Sequence, residues 1–158
     1  MQITLLAVGT LKESYLKEAF SAYAKRISAY ATFKEIVIPE TRIPDEEDPK
    51  KIGAALTEEG EKLLASCPRD AYKVALCVEG KQLSSEDLAT LVGEAGDAAG
   101  KLALFIGSSH GLSDAVKGAC DYRLSFSKMT FPHSLARVIA AECLYRSLTI
   151  LAGKKYHK

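Results

Sequence analysis

Residues 102–113 read LALFIGSSHGLS, and the fold turns on how that stretch is read. Five apolar residues, Leu102 to Ile106, stop at Gly107-Ser108-Ser109-His110-Gly111. A short unbroken apolar run that ends at glycine is the pattern of a strand buried on both faces. The turn also fits G-x-S-x-G, the nucleophile elbow of the α/β-hydrolases, and Asp121 and His133 follow in that fold's triad order. The stretch therefore offers either a nucleophile on a hydrolase sheet or a side-chain-poor strand end in a smaller one.

Working outward, strand-like and helical runs alternate. Residues 2–8 (QITLLAV), 33–38, 72–78, 102–106 and 122–125 predict strands. Helical spacing predicts helices over 14–29, 49–65, 84–98, 112–119 and 132–152. Ser84-Ser85-Glu86-Asp87 resembles a capping box, and Pro132 suits a helix start. Pro39, Pro44 and Pro49 flank the acidic run Asp45 to Asp48, which predicts an exposed loop, and Glu79-Gly80-Lys81 predicts a turn. Strands interleaved with helices give an α/β fold: a mostly parallel five- to six-stranded sheet with helices on both faces. Residues 1–158 are expected to form a single domain without internal repeats.

Composition narrows the function classes. With 47% apolar and 26% charged residues, the chain is neither disordered nor membrane-like. No apolar stretch approaches a bilayer span, and the strand pattern starts at Gln2, which leaves no room for a signal peptide. A cytoplasmic location and no membrane partner are expected. A net charge of +1 argues against a DNA coater, so no DNA partner is expected, although a local basic patch can still bind RNA. Cys67, Cys77, Cys120 and Cys143 form no C-x-x-C pair, so buried free thiols and no metal site are the expectation.

The hydrolase reading meets a size limit: its sheet is larger than five strands, and 158 residues leave little room for more. A small esterase using Ser109 stands as one alternative, and a non-catalytic ribosome- or RNA-binding module as another. Gly96 to Lys101 gives half a Walker loop, one spacer short and ahead of a strand, and no G-x-G-x-x-G occurs. Position is more informative. Ligands of open parallel sheets bind beyond the carboxyl ends of the strands. Three such ends are small or unusual: 76–80, 107–109 and 126–131. Side-chain-poor turns let a ligand approach the backbone, although a tight turn at Gly107 and core packing by Phe126, Met129 and Phe131 are the plainer readings.

The block FSKMTFPHSLARVIAAECLYRSLTI (126–150), the start MQITLLAVGTLKESY, the turn VEGKQLSSE and the terminal YHK together resemble the RlmH family. These are small SPOUT-class methyltransferases of ribosomal RNA, and the resemblance covers essentially the whole chain. It implies a C-terminal trefoil knot, a homodimer and S-adenosylmethionine (S-adenosyl-L-methionine) as cofactor. The implied reaction methylates N3 of pseudouridine 1915 in the helix 69 loop of 23S rRNA, in the large subunit or assembled ribosome. The implied cofactor residues are Leu76, Gly107, Phe126, Ser127, Lys128, Met129, Thr130 and Phe131, the same three strand ends. One position departs: the family commonly carries two glycines where this chain has Gly107-Ser108. If residue 108 needs positive φ, strain of about 1–3 kcal/mol follows.

The last helix carries little polar face, which predicts a second apolar partner, a homodimer interface or the chain's own loops. His133 and Arg137 share one side of it, and Glu142 and Arg146 share another. The catalytic candidates are His133, Glu142 and Arg146. His133 reads equally as a structural helix-start residue, and Glu142–Arg146 as a salt bridge within the helix. Arg137, Lys154, Tyr156, His157 and Lys158 are the candidate substrate-binding residues, since cations suit phosphate and an aromatic ring suits a base. A frayed, solvated end is the ordinary reading of such a tail.

Overall fold

The apolar runs become five strands, β1 (Gln2–Val8), β2 (Thr32–Ile38), β3 (Tyr72–Gln82), β4 (Lys101–Ile106) and β5 (Tyr122–Ser125), in a computed structural model that describes residues 1–156. Between them run α1 (Ser14–Ile27), α2 (Pro49–Ser66), α3 (Ser85–Ala99) and α4 (Asp114–Ala119), and α5 (His133–Leu151) follows β5. All strand pairs are parallel, in the order β2-β1-β4-β3-β5.

Alternation along the strands builds two cores. Ile3, Leu5 and Ala7 of β1 join Leu102, Leu104 and Ile106 of β4 on one face, under Phe20, Val92, Leu144 and Leu148 of α1, α3 and α5. Leu6, Val8, Ala103 and Phe105 point the other way, against Leu63 of α2 and Val116 of α4. Burial on both faces is why β1 and β4 read as unbroken apolar runs.

Local chemistry sets the helix starts. Ser84 Oγ accepts from the Asp87 amide at 3.0 Å, and Asp48 from the Lys50 amide at 2.9 Å with Pro49 in the first turn. The expected helix over 112–119 begins later because Ser113 caps it, accepting from the Val116 amide. The expected turn at Glu79–Lys81 is instead part of β3. The strand runs on to Gln82, with a register shift that pairs both Leu76 and Lys81 with Leu124 of β5. Gly80 makes this irregularity possible, since a Cβ there would stand 2.5 Å from the Leu124 carbonyl carbon.

The strand order matters for function. From β1 the chain passes outward to β2, and from β4 it passes the other way, beyond β3, to β5. The topological switch therefore lies between β1 and β4, and the crevice beyond their carboxyl ends is where a parallel sheet takes its ligands. Across the core, α5 packs on α1 and α3, which cover Ala140, Ala141, Leu144 and Leu148. Leu135 and Leu151 remain 37% and 49% exposed, so the chain's own helices cover part of the apolar surface of α5 and not all of it.

Candidate active site

Beyond the carboxyl ends of β3, β4 and β5 lies a cavity of about 310 Å³. Leu76 to Glu79 form one wall, the turn 106–112 the floor, and the segment 125–131 the other wall. The three strand ends singled out in the sequence thus face one space. Leu76, Gly107, Phe126, Ser127, Met129, Thr130 and Phe131 all line it; Lys128 does not, and its side chain is exposed.

The floor depends on an absent side chain. A Cβ on Gly107 would overlap the Gly111 carbonyl, because the turn closes back on itself through the Ser108–Gly111 bridge. Its 2.9 Å hydrogen bond runs from the Gly111 amide to the Ser108 carbonyl, and Gly111 takes a φ of +86°. Ser108 needs no such freedom. Asp70 is the positive-φ non-glycine residue of the described chain, so the strain considered for Ser108 does not arise. Its hydroxyl, buried at 6% exposure, donates to Glu59 Oε2 at 2.9 Å. Glu59, itself 3% exposed, accepts the Thr41 amide on Oε1 at 2.9 Å. The loop 125–131 is held by Ser125 Oγ donating to the Ser127 carbonyl and the Met129 amide donating to Ser127 Oγ. At the rim, Lys117 lies 2.7 Å from Glu79 and 3.1 Å from Asp114, and its hydrogen bond holds the Glu79 carboxyl below the usual range.

This cavity fits an adenosine-bearing cofactor better than a bare ion. Apolar side chains from Leu76, Ile106, Phe126 and Ala136 stand beside open backbone at Gly107, and polar groups sit at the rim. It does not hold a hydrolase triad. Ser109 Oγ meets its neighbour His110 at 3.3 Å, while Asp121 stands before β5 and accepts the Lys73 amide at 2.7 Å near the amino end of β3. The elbow has its turn but lacks its relay.

His133 also lines this cavity, and it borders a second one. That cleft, of about 460 Å³, lies beyond β1 and β2 and is lined by Gly9, Thr10, Lys12, Glu13, Pro39, Glu40, His133 and Ser134. Arg137, one turn along α5, braces the same strand end. Although expected to meet substrate, it is 1% exposed and spends its guanidinium inside the protein. Nη2 donates to the Gly9 and Val8 carbonyls at 2.6 and 3.2 Å, and Nη1 pairs with Glu35 at 3.2 Å. Burial lowers its pKa and raises that of Glu35, opposed in both by the pairing.

Glu142 and Arg146 pair at 2.5 Å and stand apart from both cavities, Glu142 about 13 Å along the helix from His133 at 1.5 Å per residue. Tyr156 folds back onto them. Its hydroxyl donates to Glu142 Oε1 at 3.3 Å, and its ring packs edge-on to Tyr145 and under the Arg146 guanidinium. Lys154 is exposed; His157 and Lys158 lie outside the described residues. Glu59 and Glu40 had no sequence signal, since each is one carboxylate among many on a charged segment.

Comparison with known proteins agrees with this geometry. The family model described as "Predicted SPOUT methyltransferase" matches residues 1–157. The chain is 44% identical to the ribosomal RNA large subunit methyltransferase H of Shouchella clausii and 45% identical to that of Clostridium novyi, in each case over 159 aligned positions covering all of both proteins. Among solved structures it resembles a probable methyltransferase from Bordetella pertussis, with 16% identity, a TM-score of 0.55, and 92% of this chain and 93% of that one covered. A probable methylase family protein from Haemophilus influenzae gives 13% identity and a TM-score of 0.51 over 98% and 67%. These two establish likeness of fold.

Proposed function

Because the chain belongs to the SPOUT methyltransferase family, in its ribosomal RNA large subunit methyltransferase H (RlmH) branch, we propose that it moves a methyl group from S-adenosylmethionine to N3 of pseudouridine 1915. The target lies in the helix 69 loop of 23S rRNA, within the large subunit or the assembled ribosome. The observation that carries this reading is the convergence of three strand ends, closed by Gly107, on one cavity.

The sulfonium supplies an activated methyl and a good leaving group, so the protein's tasks are alignment and proton removal. Leu76, Gly107, Phe126, Ser127, Met129, Thr130 and Phe131 would hold the cofactor, and Lys128 is on the outer surface. Arg137 fixes the end of β1 beside the site instead of touching RNA. The exposed remainder of α5, Leu135 and Leu151 included, supports a homodimer. So does the position of Glu142, Arg146 and Tyr156, one face away from their own cavity, where they can complete that of a partner. Lys154, Tyr156, His157 and Lys158 then form the RNA-contacting tail. The proposal extends to the threaded C-terminal segment of the family and to a cytoplasmic location; no helix of the described residues is long and apolar enough to cross a membrane.

The test uses ribosomes from a strain lacking the modification. Purified protein should bind S-adenosylmethionine by calorimetry and transfer labelled methyl to those ribosomes. Ribosome binding without cofactor binding would identify a non-catalytic RNA-binding module and overturn the proposal. Labelling of Ser109 by a fluorophosphonate probe would revive the esterase.

A further inference from the structure

Methyl transfer needs two ligands in contact, and the cavity at β3, β4 and β5 accounts for one of them. The second cleft opens on the other side of the switch between β1 and β4, and His133 is the wall the two spaces share. Its surfaces have a definite chemistry. Gly9 carries no side chain, and the point where its Cβ would stand lies 3.5 Å from Glu40 Oε2 and 3.7 Å from His133 Nε2. A carboxylate and an imidazole therefore approach one place beside Gly9. Lys12 adds a flexible donor, and α5 begins at His133 and Ser134 with no side chain capping its first amides.

We infer that this cleft receives the imide edge of a uracil-type base, with Glu40 as the group that takes its proton. The inference rests on the methyltransferase reading above and adds the place and recognition of the base. An imide edge presents a donor N–H between two carbonyl acceptors. The cleft supplies both kinds of partner: Glu40 as acceptor, Lys12 and the uncapped first turn of α5 as donors, with Glu13 also on its lining. A cytosine edge, with an amino group in place of one carbonyl and no ring N–H, meets donors with a donor and the carboxylate with a lone pair. Glu40 accepts the N3 proton, and the nitrogen's electron pair forms the bond to the methyl carbon. The carbon–sulfur bond breaks as that bond forms, and its pair stays on sulfur as a neutral thioether. His133, on the lining of both cavities, would hold the ring at the wall they share.

Glu40 and Lys12 are exposed, so their replacement leaves the core untouched. Ribosomes from a strain lacking the modification and labelled S-adenosylmethionine serve as substrates, and calorimetry reads cofactor affinity separately. Glu40→Gln should lower kcat by about 10²-fold or more with cofactor Kd unchanged, and Glu40→Asp should recover part of the loss. Lys12→Met should raise KM for the ribosome while kcat stays near wild type. Transfer by Glu40→Gln within about threefold of wild type would overturn the inference, as would a loss of transfer matched by an equal loss of cofactor affinity. Absence of transfer by the wild-type chain is a different result, and overturns the methyltransferase reading itself.

Discussion

Replacing Arg137 by Met separates a brace from an RNA contact. Methionine keeps the unbranched apolar stem of the side chain and removes its guanidinium, and with it the charge and the donors. The Val8 and Gly9 carbonyls and the Glu35 carboxylate then lose the partners they have at 2.6–3.2 Å. Breaking one side of a buried ion pair costs about 3–5 kcal/mol; Glu35, 26% exposed, rehydrates in part and lowers that figure, while the two abandoned carbonyls add to it. Part is returned, because the guanidinium was itself held out of water, as its depressed pKa records. A net loss of about 3–5 kcal/mol lowers Tm by roughly 6–20 °C in a chain of this size, at about 2–4 °C per kcal/mol. Adding Glu35→Leu should restore several degrees, since it removes the carboxylate left without a partner. Melting followed by circular dichroism, alongside transfer kinetics on ribosomes, reads both quantities. A variant that melts within about 2 °C of wild type, yet needs far more ribosome for half-maximal rate, would refute this account and return Arg137 to the RNA.

Other predictions follow from the same geometry. Gly107→Ala should weaken S-adenosylmethionine binding by at least about tenfold in calorimetry, because the new methyl meets backbone that cannot rotate away. Ser108→Ala should cost about 1.5–3 kcal/mol, the range for a hydrogen bond to a charged group, and be read as a lower Tm. Deleting residues 156–158 should impair methyl transfer more than cofactor binding; equal loss of both would assign the tail a folding role. Cys120 and Cys143, whose thiols burial pushes up to about 12, should resist iodoacetamide at pH 8 until the protein is unfolded. Since the unfolded thiols ionise near the ordinary value of 9.0 and the folded ones do not, stability should fall as pH rises from 9 toward 12.

Much of this architecture is legible in the sequence. Runs such as 102–106 declare buried strands by being apolar without alternation, and Ser84 and Pro132 declare helix starts. The strand ends that line the cavity are legible too, because small residues after an apolar run mark where a backbone is open. What escapes is what depends on distant partners. Nothing local distinguishes the bulged extension of β3 from a turn: Glu79-Gly80-Lys81 has turn composition, and its pairing is decided by Leu124, more than forty residues away. Arg137 reads as a cation beside a histidine, and its burial is visible only once β1 and β2 bring Glu35 and two carbonyls to it. Ser109 shows the converse: a five-residue match is complete in sequence and empty in space, since Asp121 sits near the amino ends of the strands.

Glu59 touches both halves of the site through one carboxylate, with Ser108 beneath the cofactor cavity on one oxygen and Thr41, next to Glu40, on the other. The two loops therefore share one buried anchor, and a ligand that shifts either of them should bias the other. Thermodynamic reciprocity turns that link into a rule for order of addition: whatever factor the first ligand lends to the second, the second returns to the first. A compound that wedges the 39–41 loop open should thus act on cofactor affinity without entering the cofactor's cavity. Inhibition of that kind would be mixed with respect to S-adenosylmethionine, and Ser108→Ala should make the two ligands independent.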